Sequence, residues 1–245
     1  MQKFESIHAR AKERKGGAKA LAELLPKVLS KRQLANIGDD RFLAMLCKVV
    51  NQAGFNWSVI ENKWPQFEAA FFKFNPLKLS SLSPDAWDAY TKDPRVVRNW
   101  QKISALRDNV EFVRQEAAQH GSFAKFIATW PDDDQIGLMA YLKKHGARLG
   151  GFSAQYFLRN MGRDTYILTR DVVRVLQNAD VEVSANPTGK AELKRVQAAF
   201  NAWHFDTGLP YAHLSKIAAY SIGENYPNED LKAEIEKSRS YSALG

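Results

Sequence analysis

The chain is poor in residues that hold metal ions or form disulfides, with one cysteine and five histidines in 245 residues. A single cysteine excludes a disulfide within the chain, and the scattered histidines lack the spacing of a structural zinc site. Cys47 lies in the apolar run 42–47, which indicates a small core residue rather than a nucleophile. We therefore predict no metal and no other cofactor.

Long apolar runs are also missing from the sequence. No stretch is long enough to cross a bilayer, and the first residues lack the basic, apolar and small-residue order of a secretory signal. We expect a cytoplasmic protein with no membrane partner, which in a bacterium shares its compartment with the nucleoid.

Alternating strand patterns are short and few, whereas leucine, alanine and aromatic residues recur every three or four positions. This periodicity predicts an all-α fold. The pair Asp93–Pro94 predicts the start of a long helix over 95–118, and two later helices are expected over 190–203 and 211–222. The polar tail 224–245 is expected to fray.

Basic residues exceed acidic ones by 35 to 27, which gives a net charge of +8. Residues 1–35 alone carry nine Lys or Arg against three Glu. An excess of this sign favours a polyanionic partner such as nucleic acid, although a charged amino-terminal arm is also typical of a solvated helix face.

A basic, glycine-rich turn over residues 143–151, called the hairpin below, lies between two apolar-periodic segments. Paired glycines let the chain turn tightly, so that backbone N–H groups and the next helix start can face a phosphate. The alternative is an ordinary helix C-cap followed by a tight turn. We predict that the hairpin binds the DNA backbone through Lys143, Lys144, Gly146, Arg148, Gly150, Gly151 and Ser153.

Several segments, taken in order along the chain, resemble the 3-methyladenine DNA glycosylase I family. The similarity covers roughly residues 39–165, about half of the chain. Residues 51–60 (NQAGFNWSVI) resemble the segment that lines the family's base pocket, and the hairpin resembles its "KKRGFKFVG" stretch. The other similar segments are 64–71 with 74–76 ("F…AF…FDP"), 93–103 ("IIRNRxKI") and 121–123.

The resemblance implies the helix-hairpin-helix DNA glycosylase fold, in which two packed helical lobes have the DNA cleft between them. We accordingly expect residues 1–245 to form a single unit and the protein to be a monomer. Within this unit, the expected core lobe is 39–160 with the hairpin, and the expected terminal-helix lobe is 1–38 with 165–245.

The resemblance also implies base-excision repair: excision of an alkylated purine, above all 3-methyladenine, from double-stranded DNA. Such an enzyme must extrude the damaged nucleotide into a pocket. Trp57 and Phe55 are predicted to stack on the extruded base, and Gln52 and Asn56 to read its edge. The alternative for either aromatic residue is a place in the core.

Asp171 follows Gly151 by 20 residues, about the spacing at which the wider superfamily has a catalytic aspartate. A carboxylate there would stabilise the cationic sugar and orient a water. Its alternative is a cap on a helix beginning near Val172. Members that also cleave the DNA backbone have a lysine where this chain has Ser153, so we predict a monofunctional glycosylase without strand cleavage.

Two departures from the family pattern bear on function. The family's structural zinc is held by cysteines that this chain lacks, so packing must hold the terminal segments instead. The family's active-site glutamate aligns with Val49. This second departure leaves two alternatives open: a non-catalytic DNA-binding protein, and a glycosylase for another damaged base.

Overall fold

A computed structural model of the chain describes residues 1–240, and it describes side chains for residues 1–236. The described residues form helices and no strands, which confirms the all-α prediction. In chain order the helices are α1 Phe4–Arg14, α2 Ala18–Glu23, α3 Lys31–Ala35, α4 Asp39–Gln52, α5 Trp57–Ala70, a 3₁₀ turn Phe72–Phe74, α6 Pro76–Ser80, α7 Pro84–Ala89, α8 Trp100–His120, α9 Phe123–Thr129, α10 Gln135–His145, α11 Phe152–Asn160, α12 Arg170–Asn178, α13 Lys190–Thr207, α14 Tyr211–Tyr220 and α15 Asn228–Ser240.

The described chain divides into two compact units, each assembled from separated segments. The first unit contains residues 1–28, 131–138 and 164–240, and the second contains 29–130 and 139–163. Helix α10 begins in the first unit and ends in the second. None of the described helices has both the length and the apolar character that a membrane span requires.

The second unit is built around α4, which packs against α8 and is buried over most of its length. The rings of Phe42, Phe123 and Phe157 meet in its core, with Phe42 in edge contact with the other two at 5.6 and 6.1 Å. Cys47 is buried in the same core, and burial raises the pKa of its thiol. The prediction of a core cysteine is therefore confirmed.

The first unit packs α1 against α14 and α13. Tyr166 stacks on Phe200 with ring centroids 4.4 Å apart, and the Trp203 ring meets Phe200 edge-on at 5.4 Å. The Trp203 indole N–H donates to the carbonyl of Gln2 at 3.1 Å. Aromatic burial and this hydrogen bond help to fix the amino-terminal residues in this core.

The long helix begins five residues later than the sequence predicts. The backbone N–H of Arg95 is held by the Asp93 carboxylate at 2.9 Å in a local turn. Asn99 is the N-cap of α8, and its side chain accepts from the N–H of Lys102 at 3.2 Å. Asp and Asn compete with the helix for backbone hydrogen bonds, so the helix starts at Trp100 rather than at Arg95.

The polar tail that is predicted to fray contains a helix in its described part. Residues 224–227 have no regular secondary structure and contact the end of α1, and α15 follows. Arg14 donates to the carbonyls of Tyr220 and Gly223 at 3.0 and 2.7 Å, and the Lys15 ammonium group donates to the Asn225 side chain at 2.8 Å. These bonds link the two ends of the chain within the first unit, while residues 241–245 lie outside the described residues.

Candidate functional site

The hairpin connects α10 to α11 in the second unit. The N–H of Gly146 closes the last turn of α10 on the Leu142 carbonyl at 2.9 Å. A Cβ at Gly146 would lie 2.4 Å from the Leu149 side chain and 2.9 Å from the Leu142 oxygen, so only glycine fits there. Gly151 has φ +57°, a left-handed conformation that glycine adopts readily.

Asn109 of α8 holds the hairpin from the core side. Its side chain is fully buried and makes two hydrogen bonds to one backbone residue, Ala147. The Ala147 N–H donates to Asn109 Oδ1 at 2.8 Å, and Asn109 Nδ2 donates to the Ala147 carbonyl at 3.1 Å. A buried carboxamide with both groups paired fixes the backbone conformation of the turn.

The predicted DNA-binding cations of the hairpin are all exposed. The stem of Lys143 lies 4.0 Å from the place that a Cβ on Gly150 would occupy. The Arg148 guanidinium donates to the Gln101 side chain at 3.2 Å, and the N–H of Ser153 donates to the Gly150 carbonyl at 3.2 Å. The exposed cations, which also include Lys144, give the turn a positive surface.

The segment that resembles the base pocket, residues 51–60, includes residues 52–57, which are called the pocket loop below. This loop is held by Lys102, whose Nζ donates to the carbonyls of Val50, Asn51 and Ala53 at 3.0, 2.8 and 2.9 Å. Burial, reinforced by the nearby Arg148 charge, lowers the pKa of Lys102. The ammonium group therefore caps the end of α4, where carbonyl groups lack helical partners.

Both predicted stacking residues are on the surface. Phe55 is 44% exposed and Trp57 is 45% exposed, so the alternative that either is a core residue is wrong. The Lys102 ammonium lies 4.4 Å from the centre of the Phe55 ring. Trp57 meets the ring of Tyr156 on α11 edge-on at 5.3 Å, and Tyr156 contacts Phe152 at 6.3 Å. An aromatic strip thus runs from the pocket loop to the helix that follows the hairpin.

The two polar residues that are predicted to contact the base edge differ in their surroundings. Gln52 is buried near the end of α4, while Asn56 is exposed. Asn56 is the N-cap of α5, and its Oδ1 accepts from the N–H and the hydroxyl of Ser58 at 3.0 and 2.8 Å. Its carboxamide oxygen is therefore engaged by the helix. Val49 is buried in α4.

Asp171 belongs to the first unit, where it is the second residue of α12 and is partly exposed. The N-cap of α12 is Thr169, whose hydroxyl accepts from the N–H of Val172 at 3.4 Å, so the alternative that Asp171 is the cap is wrong. Its carboxylate packs against Gly223, where an added Cβ would lie 3.0 Å from both oxygens. Gly223, with φ +71°, leaves room for this carboxylate.

Sequence reasoning did not identify Lys102 or Asn109 as part of the site. The available signal was their spacing: both are polar positions seven residues apart in a helix, and seven residues are about two turns. Two polar side chains on one face of a largely buried helix indicate specific partners in the core.

The zinc that the family resemblance implies does not fit this chain. Among residues 1–236, whose side chains the structure describes, no three His, Cys, Asp or Glu side chains are grouped closely enough to hold a metal ion. The ends of the chain are instead joined by the hydrogen bonds of Arg14 and Lys15 described above.

Comparison with known proteins gives a family match over part of the chain. The family model of methyladenine glycosylase matches residues 33–146. DNA-3-methyladenine glycosylase 1 of Escherichia coli K12 is 24% identical over 87 residues, which are 36% of this chain and 46% of the relative. The chain thus spans about half the length of this curated relative.

Solved structures of 3-methyladenine DNA glycosylase I are also similar. One, from Staphylococcus aureus and concerned with 3-methyladenine recognition, has a TM-score of 0.48 at 18% identity and covers 74% of this chain and 99% of its own. Another has a TM-score of 0.44 at 22% identity, with 52% and 80% covered.

The matched range 33–146 contains the pocket loop, Lys102, Asn109 and the first part of the hairpin. The resemblance predicted from the sequence is confirmed: over residues 33–146 the chain is similar to the methyladenine glycosylase family.

Proposed function

We propose that this chain is a monofunctional DNA glycosylase that hydrolyses the N-glycosidic bond of an alkylated purine, with 3-methyladenine as the first candidate base. The observation that supports the proposal is that two side chains of one helix, α8, hold two parts of the candidate site through hydrogen bonds. Lys102 holds the exposed aromatic pocket loop, and Asn109 holds the basic, glycine-rich hairpin. A base-binding surface and a phosphate-binding turn on one helix suit an enzyme that extrudes a nucleotide.

In this proposal the pocket loop receives the extruded base. Trp57 offers a partly exposed ring that lies perpendicular to the Tyr156 ring, and electron-rich ring faces attract a base made cationic by alkylation. Phe55 contributes one ring face, since Lys102 lies over the other. The Asn56 amide nitrogen and Gln52 are the proposed donors and acceptors for the base edge.

The hairpin is proposed to hold the DNA backbone. Lys143, Lys144 and Arg148 supply the charge, and Gly146, Gly150, Gly151 and Ser153 supply backbone close to the phosphate. The enzyme is proposed to act as a monomer on double-stranded DNA, in the cytoplasm at the nucleoid.

Asp171 is the proposed catalytic carboxylate. N-alkylation already makes the purine a good leaving group, so the remaining task is to stabilise an oxocarbenium-like sugar and to orient a water. A negative charge next to the sugar stabilises that cation most where water is scarce. With Ser153 at the position of the lyase lysine, the expected product is an abasic site in an unbroken strand.

A second candidate function is favoured by Val49. The pocket segment 49–57 contains no acidic residue, so it lacks the carboxylate that the family resemblance implies for reading the base. A chain with this pocket would bind abasic or distorted DNA without turnover, or would release a different damaged base.

Release of free base from methylated duplex DNA tests the proposal, with 3-methyladenine, 7-methylguanine and strand breaks scored separately. Asp171→Asn should abolish base release and leave duplex affinity unchanged within about twofold. The exposed Asp180→Asn, which makes the same chemical change in the same unit, is the matched control and should keep full activity. A folded wild type that binds duplex DNA and releases no base would instead support the second candidate.

A further inference from the structure

Helix α8 has three buried polar side chains at seven-residue intervals: Lys102, Asn109 and Glu116. Seven residues make about two helical turns, or about 10.5 Å along the axis, so the three side chains lie on nearly the same face. Buried polar groups in a helix require partners, and each of these three finds its partner in a different segment of the second unit.

The first contact is made by Lys102 at the amino-terminal end of α8. Its ammonium group binds three carbonyls where α4 ends and the pocket loop begins, and it also lies over the Phe55 ring. One cation therefore fixes both the backbone path into the pocket loop and the placement of one of its two aromatic rings.

The second contact, two turns further along, is the Asn109 carboxamide on Ala147. It is reciprocal, and it holds the middle of the hairpin between the two glycines that shape it, Gly146 and Gly151. The donor and acceptor bind a single residue, so a sideways shift of the turn would break both bonds.

The third contact is made by Glu116, which accepts from the hydroxyl of Tyr141 on α10 at 2.7 Å. The Tyr141 ring stacks on His145, which immediately precedes Gly146, with centroids 4.2 Å apart. This hydrogen bond raises the pKa of Tyr141 to about 12, so the hydroxyl keeps its proton. The third contact therefore orients the helix that leads into the hairpin.

We propose that Lys102 and Asn109 are positioning residues, and that α8 sets the distance and register between the pocket loop and the hairpin. The inference rests on the proposed function for the identity of the ligands. Elements anchored to one rigid helix keep a fixed separation, and base extrusion needs such a separation between the phosphate contact and the base contact.

The proposal predicts that the two residues affect different binding events. Asn109→Ala should weaken binding of an undamaged duplex and of a duplex with a tetrahydrofuran abasic-site analogue about tenfold each, because it releases the phosphate-binding turn. It should leave the affinity for free 3-methyladenine within about twofold. Lys102→Met keeps the hydrocarbon stem but loses the ammonium group, so it should weaken free-base binding about tenfold and change duplex affinity by less than about threefold.

Two control variants test whether a change of charge alone, away from the proposed positioning residues, could produce these effects. Gln115→Glu and Lys125→Met alter exposed residues of the same unit and should reproduce neither effect. Asn109→Asp keeps the acceptor for the Ala147 N–H, but its ionised carboxylate cannot donate to the Ala147 carbonyl. Its duplex affinity should therefore fall as far as that of Asn109→Ala. The aspartate variant also provides a second test if circular dichroism shows that the alanine variant is unfolded.

The tests of this inference and of the proposed function fail in different ways. A wild type that neither binds nor releases an alkylated base overturns the proposed function. The positioning proposal can then still be tested by ¹H–¹⁵N spectra recorded without ligand. In these spectra Asn109 variants should shift the amide signals of the hairpin, and Lys102→Met should shift the indole N–H signal of Trp57. If both variants shift both sets of signals equally, or if folded Asn109 variants bind duplex DNA as tightly as wild type, the inference is wrong.

Discussion

Gly146→Ala is the sharpest test of the hairpin geometry. The new methyl carbon would lie 2.4 Å from the Leu149 Cδ1 atom and 2.9 Å from the Leu142 carbonyl oxygen. Carbon atoms attract one another at about 3.5–4.0 Å, so the first contact is more than about 1 Å too short. Leu149 is buried and the Leu142 oxygen belongs to the backbone of α10, so neither neighbour can move aside freely.

Overpacking of this kind costs about 1–3 kcal/mol, and the backbone of the turn must shift to relieve it. We expect a fall of about 2 kcal/mol in the free energy of unfolding, measured by urea denaturation. Duplex affinity should also fall about tenfold, which corresponds to about 1.4 kcal/mol, since the displaced turn is the proposed phosphate site.

Gly150→Ala is the matched control in the same turn. The nearest atoms to its added Cβ are carbons of the Lys143 stem at 4.0 Å, and its φ lies outside the left-handed region. This variant should change the free energy of unfolding by no more than about 0.5 kcal/mol. Equal effects of the two substitutions on stability, in either direction, would refute the argument that close packing at Gly146 shapes the hairpin.

Three further predictions concern stability and reactivity. Burial lowers the pKa of Lys48 to about 8 from 10.5, so the folded protein resists its charge and should gain stability as the pH rises from about 8 to 10.5. Lys48→Met should remove this gain in stability between about pH 8 and 10.5, as urea titrations at several pH values can measure. Arg14→Met removes charged hydrogen bonds to the carbonyls of Tyr220 and Gly223 and should cost about 2–3 kcal/mol in the same assay. Arg10→Met, at a partly exposed position of the same helix, should cost less than about 0.5 kcal/mol. Cys47, whose thiol pKa is raised by burial, should react with a thiol reagent at pH 8 only after unfolding, and rapid labelling of the folded protein would contradict its core position.

The local features of the fold were largely predictable. The periodicity of apolar residues predicted helices, and helices are present over 190–207 and 211–220 close to where they were expected. Boundaries were less predictable where side chains compete for backbone groups, as Asp93 and Asn99 do before α8. The tail after residue 224 looked too polar to fold because its partners, Arg14 and Lys15, lie more than 200 residues away in the chain.

For the candidate site too, some features were predictable from the sequence and others were not. By itself, the sequence identified the candidate residues of the proposed chemistry: the cations and glycines of the hairpin, the aromatic residues of the pocket loop, and Asp171 as a candidate carboxylate. These features are local, since they depend on residue type and short spacing. Only the tertiary structure decided that Phe55 and Trp57 are exposed and that Thr169 rather than Asp171 caps α12.

The tertiary structure also decided what holds the site together. Asn109 and Ala147 are 38 residues apart in sequence, and Lys102 binds carbonyls 49 to 52 residues away. A buried polar side chain must be paired, but its residue type does not specify which distant backbone group comes within reach. That choice depends on how α4, α8 and α10 pack, because packing determines which donors and acceptors meet away from water.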